Sequence, residues 1–182
     1  MIRSVVTIGG PPGSGKSTAG RLVAERLGLE FRSAGELFRE EAKRRGLTVE
    51  AFGEYAREHP EVDRELDRTM QGLAIAGRLL EGRIQGALCR RAGVPVHYVI
   101  VTASEEERVR RVAGRDHQTL SEARRLVRAR EAVEQERYRH YYDLDLDGEV
   151  PDLLVDSTDI PPDRVAEKIV TFVRAAEEAS AP

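Results

Sequence analysis

One short segment near the start of the chain restricts its fold more than any other feature. Residues 10–18 read G-P-P-G-S-G-K-S-T and match the pattern G-x-x-x-x-G-K-[ST] in full. A short apolar stretch, Ser4 to Gly9, precedes this segment, and a helical pattern follows it as far as Leu27, where Gly28 ends the helix. A strand followed by a helix is the context that this motif requires. The segment therefore predicts a phosphate-binding loop (P-loop) within a parallel α/β sheet.

The composition of the P-loop suits the phosphates of a nucleotide such as ATP. Glycines let backbone N–H groups close around a β-phosphate, and the N-terminus of the following helix adds its positive dipole. Lys16 is expected to reach the β- and γ-phosphates, and the Ser17 hydroxyl is expected to bind Mg²⁺. A chance glycine-rich turn beside a lysine is the alternative, which the strand–helix context disfavours. The predicted ATP-binding residues are Gly10, Pro11, Pro12, Gly13, Ser14, Gly15, Lys16, Ser17 and Thr18.

The rest of the chain alternates between apolar segments of strand length and helical patterns. This alternation predicts an α/β fold of one domain, residues 1–182, in which helices flank a five-stranded parallel sheet. Ser33, Ser104 and Thr119 are each followed by Glu three residues later, which predicts helix N-caps. Further strands are expected at residues 29–32, 74–81, 96–102 and 153–156. Helices are expected at residues 34–45, 49–58, 60–72, 105–114, 120–142 and 162–178, the last with Val165, Ile169, Phe172 and Ala176 facing inwards.

Charge and cysteine content argue against several classes of protein. The 29 Lys and Arg residues and 32 Asp and Glu residues give a net charge of −3, which disfavours a protein that coats nucleic acid or an anionic membrane. Cys89 is the only cysteine, so neither an intrachain disulfide nor a cysteine-based metal site is expected. No signal-peptide core and no apolar run of membrane-spanning length is present, and we expect a soluble, cytoplasmic protein.

The P-loop alone does not identify the acceptor of a phosphoryl group, but the end of the third strand adds information. The sequence Asn-Lys-x-Asp, with which GTPases recognise guanine, is absent. Leu80-Glu81-Gly82-Arg83 closes the third strand, and ligands of parallel sheets bind at the carboxyl ends of strands. Glu81 is therefore expected to hold Mg²⁺ through water, and Arg83 to contact the transferred phosphate. The alternative is a surface salt bridge at a turn.

Two arginines that are four residues apart, Arg111 and Arg115, share one helix face. They precede a polar break at residues 116–119, so residues 111–120 are predicted to form a short lid. Guanidinium groups that close over a γ-phosphoryl group neutralise its charge during transfer. The alternative is a solvated helix face shared with Arg108 and Arg110. The predicted catalytic residues are Lys16, Arg83, Arg111 and Arg115.

A second charged group lies on the long helix at residues 120–142. Arg130, Glu134 and Arg137 share a helix face, and two arginines with a carboxylate between them suit a phosphate. An ordinary surface ion pair is the alternative. Other arginines on this helix are compatible with RNA binding, but interleaved glutamates weaken that interpretation.

The segment between the second and third strands is also rich in charge. Arg39 is a candidate for binding an acceptor phosphate. Asp63 and Asp67 are candidates for accepting a hydrogen bond from the amino group of a base, because a carboxylate can only accept. We therefore expect this segment to bind the acceptor of the phosphoryl group.

Taken together, these segments resemble the archaeal-type cytidylate kinases over nearly the whole chain. The spacing Arg130-x-x-x-Glu134-x-x-Arg137 is similar to the pattern Arg-x-x-x-Asp-x-x-Arg of cytidylate kinases, with Glu in place of Asp. The P-loop is widely shared, and the other segments are more specific. They are residues 33–40 (S-A-G-E-L-F-R-E), 59–63 (H-P-E-V-D), 80–83 (L-E-G-R), 130–138 and 152–156.

The resemblance implies the nucleoside monophosphate kinase fold and transfer of the γ-phosphoryl group of ATP to CMP or dCMP, with Mg²⁺. It also implies a mobile monophosphate-binding region at about residues 33–73, in addition to the lid. By similarity, phosphates would be bound by Arg39, Arg83, Arg130 and Arg137. The acceptor-binding residues are predicted to be Ser33, Arg39, Asp63, Arg83, Arg130, Glu134 and Arg137.

Two alternatives remain open from the sequence. The first is the same fold acting on AMP, UMP or another small metabolite, and the second is an RNA-binding module that uses the P-loop as a nucleotide-dependent switch. The near-neutral charge and the two arginine groups favour the kinase. The expected partners are ATP and CMP or dCMP, with neither nucleic acid nor membrane, and the protein is expected to be a monomer. The loop after Asp156 is the candidate position of the adenine pocket.

Overall fold

A parallel sheet flanked by helices forms the centre of the molecule. The computed structural model describes residues 2–180. Within them the elements are β1 (Val5–Gly9), α1 (Lys16–Leu27), β2 (Glu30–Ser33), α2 (Ala34–Arg44), α3 (Val49–Glu58), α4 (Pro60–Gly72), β3 (Arg78–Glu81), α5 (Gln85–Arg91), β4 (Val96–Thr102), α6 (Glu105–Asp116), α7 (Leu120–Tyr142), β5 (Leu153–Asp156) and α8 (Pro162–Ala179). The strands pair in the order β2-β3-β1-β4-β5, all in parallel. The predicted fold class is confirmed.

The central strand β1 is buried along its whole length. Val6 and Ile8 pack into a cluster with residues of α1 and α8, whereas Val5 packs with Leu80 and Cys89 in a separate cluster. A strand that is covered on both faces has a nearly continuous apolar sequence, which explains why β1 was recognisable. The C-terminal end of β1 leads directly into the P-loop, so the carboxyl edge of the sheet is where the site is built.

The third strand is shorter than predicted. It covers Arg78–Glu81, whereas the apolar run predicted a strand from Ala74. Gly77 has a φ of 83°, which is not an extended conformation, and the Ala74 N–H donates to the carbonyl of Gln71. Residues 73–77 therefore form a turn after α4 rather than part of the sheet.

The other predicted strands and helices lie within two residues of the observed ones. The starts of α2 and α6 are fixed by the predicted caps, because the Ser33 and Ser104 hydroxyls each accept from a backbone N–H three residues later. Thr119 forms a complete capping box with Glu122 at the start of α7. No helix within residues 2–180 combines the length and apolarity needed to cross a membrane.

Candidate active site

The P-loop is tightly packed at its glycines. A Cβ atom on Gly10 would lie 2.0 Å from the carbonyl oxygen of Val101, and one on Gly13 would lie 2.7 Å from the carbonyl oxygen of Arg108. Both glycines also have positive φ values, 144° and 79°, so other residues would be strained there. Ser14 Oγ is buried and has no hydrogen-bond partner within the described part of the chain. The loop thus has the close backbone packing that the motif predicts and retains an unsatisfied buried hydroxyl.

Lys16 begins α1 and lies between the P-loop and the end of β3. Its Nζ donates to the Pro11 carbonyl at 3.3 Å and lies 4.0 Å from Glu81 Oε1. Burial lowers the pKa of Lys16, while the nearby carboxylates of Glu81 and Glu134 counteract that effect. The lysine is therefore held between the P-loop and the carboxylate at the end of β3.

The end of β3 places a buried carboxylate beside this lysine. Glu81 is 4% exposed, and its Oε2 accepts from Ser33 Oγ at 2.5 Å. Ser33 is the last residue of β2 and pairs in register with Glu81. The exposed Ser17 lies in the first turn of α1. These residues supply one carboxylate and one accessible hydroxyl at the carboxyl edge of the sheet.

Helix α7 brings Glu134 between two arginines. Glu134 Oε1 accepts from Arg130 Nε at 2.8 Å, and Oε2 lies 2.9 Å from Arg83 Nε as an ion pair without hydrogen-bond alignment. Glu134 is buried, and Arg83 is largely buried, whereas the side chain of Arg130 is 61% exposed. Arg83, which follows β3, and Arg130, on α7, therefore meet at a single carboxylate.

Arg137 joins α7 to the charged segment after β2. Its Nη1 lies 3.1 Å and 3.3 Å from the two carboxylate oxygens of Asp63, and its Nη2 donates to the Tyr138 hydroxyl at 2.7 Å. Burial raises the pKa of Asp63, and Arg137 opposes this rise. The nearby Asp67 accepts from the Tyr142 hydroxyl at 2.6 Å. Arg39 is exposed on α2, and the structure does not bring it to these groups.

The two predicted lid arginines differ in position. Arg111 lies against the P-loop, where its Nη1 donates to Ser157 Oγ at 2.9 Å and its Nη2 donates to the Ser157 carbonyl at 2.7 Å. A Cβ on Gly15 would lie 3.5 Å from Arg111 Nη1. Arg115 instead forms a bidentate pair with Asp116 at 2.7 Å and is mostly exposed. The structure therefore brings Arg111, but not Arg115, to the P-loop.

A cavity of 540 Å³ lies between the P-loop, α6 and the loop from β5 to α8. Arg110, Ile160 and Pro161 line it and were not among the predicted site residues. The sequence indicates this region only through the loop after Asp156, which follows the carboxyl end of a parallel strand. The cavity supplies a partly apolar space beside the phosphate-binding loop.

Comparison with known proteins identifies the family. A family model described as AAA domain matches residues 9–125. A cytidylate kinase of Archaeoglobus fulgidus is 39% identical over 171 residues, which cover 92% of this chain and 93% of that protein. This chain belongs to the cytidylate kinase family. A second cytidylate kinase, of Halorubrum lacusprofundi, is 36% identical over 179 residues, covering 97% of this chain and 92% of the relative. The resemblance inferred from the motifs is confirmed.

The fold of this cytidylate kinase family member is shared with kinases for other substrates. A shikimate kinase from Acinetobacter baumannii, solved in complex with shikimate, aligns with a TM-score of 0.61 over 96% of this chain and 95% of that chain. Its sequence is only 21% identical, so the similarity concerns the fold alone. The shared fold therefore does not by itself identify the acceptor.

Proposed function

We propose that this member of the cytidylate kinase family transfers the γ-phosphoryl group of ATP to CMP and dCMP, giving ADP and the diphosphate. The observation that carries the proposal is the meeting of Arg83 and Arg130 at Glu134, beside Lys16 of a complete P-loop. One side of this site suits a nucleoside triphosphate, and the other suits a second phosphate. The identity to cytidylate kinases along most of the chain supports CMP as the acceptor.

The reaction requires positioning rather than a strong general base, because the acceptor is already a phosphate anion. The P-loop backbone and Lys16 would bind the β- and γ-phosphates of ATP, with Lys16 Nζ moving from the Pro11 carbonyl onto a phosphate oxygen. Arg83 and Arg130 contact Glu134 through Nε, which leaves their Nη groups for the phosphate of CMP. Arginines around both phosphates would stabilise the charge that develops during transfer.

Residues of α1 and β3 at the carboxyl edge of the sheet fit Mg²⁺. The accessible Ser17 hydroxyl and the Glu81 carboxylate, which Ser33 holds in place, would be its protein contacts, with Glu81 acting through water. Residues 2–180 contain no cluster of three His, Cys, Asp or Glu side chains for a metal, and Mg²⁺ that is bound with a nucleotide needs only one or two protein oxygens. When bound, Mg²⁺ would neutralise charge on the β- and γ-phosphates.

The resemblance assigns Arg137 to a phosphate, but its contact with both carboxylate oxygens of Asp63 supports a different role, and the pair is proposed to recognise the cytosine ring. A carboxylate can accept from the exocyclic amino group, and a guanidinium can donate to the acceptor atoms beside it. Both side chains are at least half buried, which strengthens selection against a base that would leave either of them unpaired. Residues 33–73, including Ser33 and Arg39, would form the monophosphate-binding region.

The cavity beside Arg111 is proposed to hold the adenine of ATP. It adjoins Gly15 and Thr18 of the P-loop, and its outer wall includes Ile160 and Pro161. Residues 111–120 would act as the lid, in which Arg115 leaves Asp116 to reach a phosphate. Closure of the lid would exclude water and so suppress hydrolysis of ATP.

The experiment that tests this proposal measures ADP release with ATP, Mg²⁺ and each of CMP, dCMP, UMP, AMP and GMP. We expect rapid turnover with the two cytidine nucleotides, and we expect Asp63→Asn to raise the KM for CMP. Preference for AMP or UMP would leave the kinase mechanism standing and overturn the acceptor. Affinity for ATP without turnover, together with salt-dependent RNA binding, would favour the RNA-binding module instead.

A further inference from the structure

One buried arginine outside the predicted site, Arg108, connects the P-loop to α7. Arg108 is 8% exposed, so it does not belong to a solvated helix face. Its Nε donates to the Ala103 carbonyl at 3.1 Å, and its Nη1 donates to the Pro12 carbonyl at 3.3 Å. The same Nη1 atom forms an ion pair with Glu131 of α7. A single guanidinium therefore contacts a P-loop residue and a residue of the proposed acceptor helix.

The backbone at Arg108 also supports the P-loop. A Cβ atom on Gly13 would lie 3.0 Å from Arg108 Cα, so α6 and the loop are in direct contact there. The position of the P-loop relative to α6 is consequently determined by close packing as well as by the hydrogen bond to Pro12. A displacement of α6 at this point would be transmitted to the loop.

The other end of the contact lies next to the proposed acceptor residues. Glu131 directly follows Arg130 in α7, and it precedes Glu134 by three residues, so these side chains move together with one helical turn. Apolar residues of α6 and α7 form their own cluster, which includes Val109 and Val127. The ion pair between Arg108 and Glu131 extends the contact between these helices towards the P-loop.

We infer that Arg108 and Glu131 are positioning residues that set the distance between the donor and acceptor phosphate sites. This inference rests on the proposed function. In-line transfer is sensitive to misplacement, and an error of about 1 Å can cost on the order of 10²-fold in rate. Removing the charge of Glu131 leaves the contacts of Arg108 with the P-loop in place, so kcat should fall while the KM for ATP changes little.

The test compares Glu131→Gln, Arg108→Lys and the double variant in the full chain. Glu105→Gln is the matched control, because Glu105 pairs with Arg128 between the same two helices at 2.8 Å on the exposed surface. We expect Glu131→Gln to lower kcat about 10-fold with the KM for ATP within about twofold. The control should retain the wild-type kcat, and the double variant should be no slower than the slower single variant.

Two further results separate this inference from a purely structural role and from the proposed function. A wild-type kcat for Glu131→Gln, or a loss that is matched by Glu105→Gln and that follows unfolding in urea, would overturn the inference. The rates are compared with whichever monophosphate the wild-type enzyme uses best. Preference for another acceptor would therefore overturn the assignment of CMP without removing this comparison.

Discussion

Lys16 is a cation that the fold holds among charges of both signs. Burial lowers its pKa, the carboxylates of Glu81 and Glu134 raise it, and Arg130 and Arg83 lower it again. Because Lys16 is proposed to supply positive charge at the transferred phosphate, we expect Lys16→Ala to lower kcat about 10²–10³-fold. The measurement is ADP release at saturating CMP. Lys168→Ala, which removes an exposed lysine of α8, is the control, and near-normal turnover of Lys16→Ala would contradict the mechanism.

At the scale of single residues, the sequence was informative where a motif or a strand end determines the position. The P-loop motif predicts the position of Lys16, and the end of the third strand predicts that of Glu81. In the structure Lys16 Nζ lies 4.0 Å from Glu81 Oε1. Arg108 lies in a run of arginines, and this pattern predicts only a solvated helix face. It is buried, and its Nη1 donates to the carbonyl of Pro12, 96 positions earlier in the chain. Spacing within one helix does not reveal which of its charges meets a distant loop.

Helix α8 shows the same limit at the scale of an element. The predicted inner face contained Val165 and Ile169, which are buried, and also Phe172 and Ala176, which are only partly buried. The buried face instead ends at Glu177, a charged residue that the sequence pattern would place on the solvent-exposed face. It is buried because its carboxylate accepts from the backbone N–H groups of Arg3 and Ser4 and pairs with His97. Periodicity cannot predict a partner that comes from another element.

The carboxylate of Glu177 should make the stability contributed by α8 depend on pH. Burial alone would raise the pKa of Glu177, but bonds from His97, Arg3 and Ser4 lower it to about 2, from an ordinary value of 4.5. A lowered pKa in the folded state gives stability that is present above pH 4.5 and is lost as the pH falls towards 2. Glu177→Gln should therefore lower the free energy of unfolding by about 1.5–3 kcal/mol at pH 7.

Urea unfolding of the wild type and of Glu177→Gln at several pH values measures this contribution. The difference between the two proteins should shrink between pH 4.5 and 2 as the wild-type carboxylate takes up a proton. Glu178→Gln, at an exposed neighbouring position, should match the wild type throughout. A difference for Glu177→Gln that stays constant as the pH falls would show that the charge of the carboxylate is not what stabilises α8.

On the scale of the whole molecule, the helices around the sheet pack in several distinct apolar clusters. The main cluster joins the sheet to α1 and α8, whereas Phe52 and Val62 belong to a cluster formed within α2, α3 and α4. The cluster of Val109 and Val127 joins only α6 and α7. The alternation of strands and helices was enough to predict the sheet, because helices that are close in sequence cover each strand. The positions of these clusters around the P-loop depend on polar contacts between residues that are far apart in the chain. Hydrophobic periodicity does not predict such contacts.

This division predicts that the two substrates protect different parts of the chain from hydrogen exchange. CMP should slow exchange in residues 33–73, and a non-hydrolysable ATP analogue should slow exchange in residues 10–18 and 157–162. Residues 111–120 should be protected most when both are present, because lid closure requires both phosphates. A ligand at 100 times its Kd stabilises its site by about 2.7 kcal/mol, which corresponds to roughly 100-fold slower exchange through local opening.

Lys16→Ala provides the control that separates the two sites in this measurement. The variant should lose protection by the ATP analogue in residues 10–18 and retain protection by CMP in residues 33–73. Helix α1, which follows the P-loop, packs in the main cluster, whereas α3 packs in the cluster of Phe52 and Val62. Protection by CMP that is confined to residues outside both 33–73 and α7 would overturn the assignment of the monophosphate-binding region. Protection of residues 33–73 by the ATP analogue alone would instead show that the nucleotide in the P-loop orders the acceptor side before CMP binds.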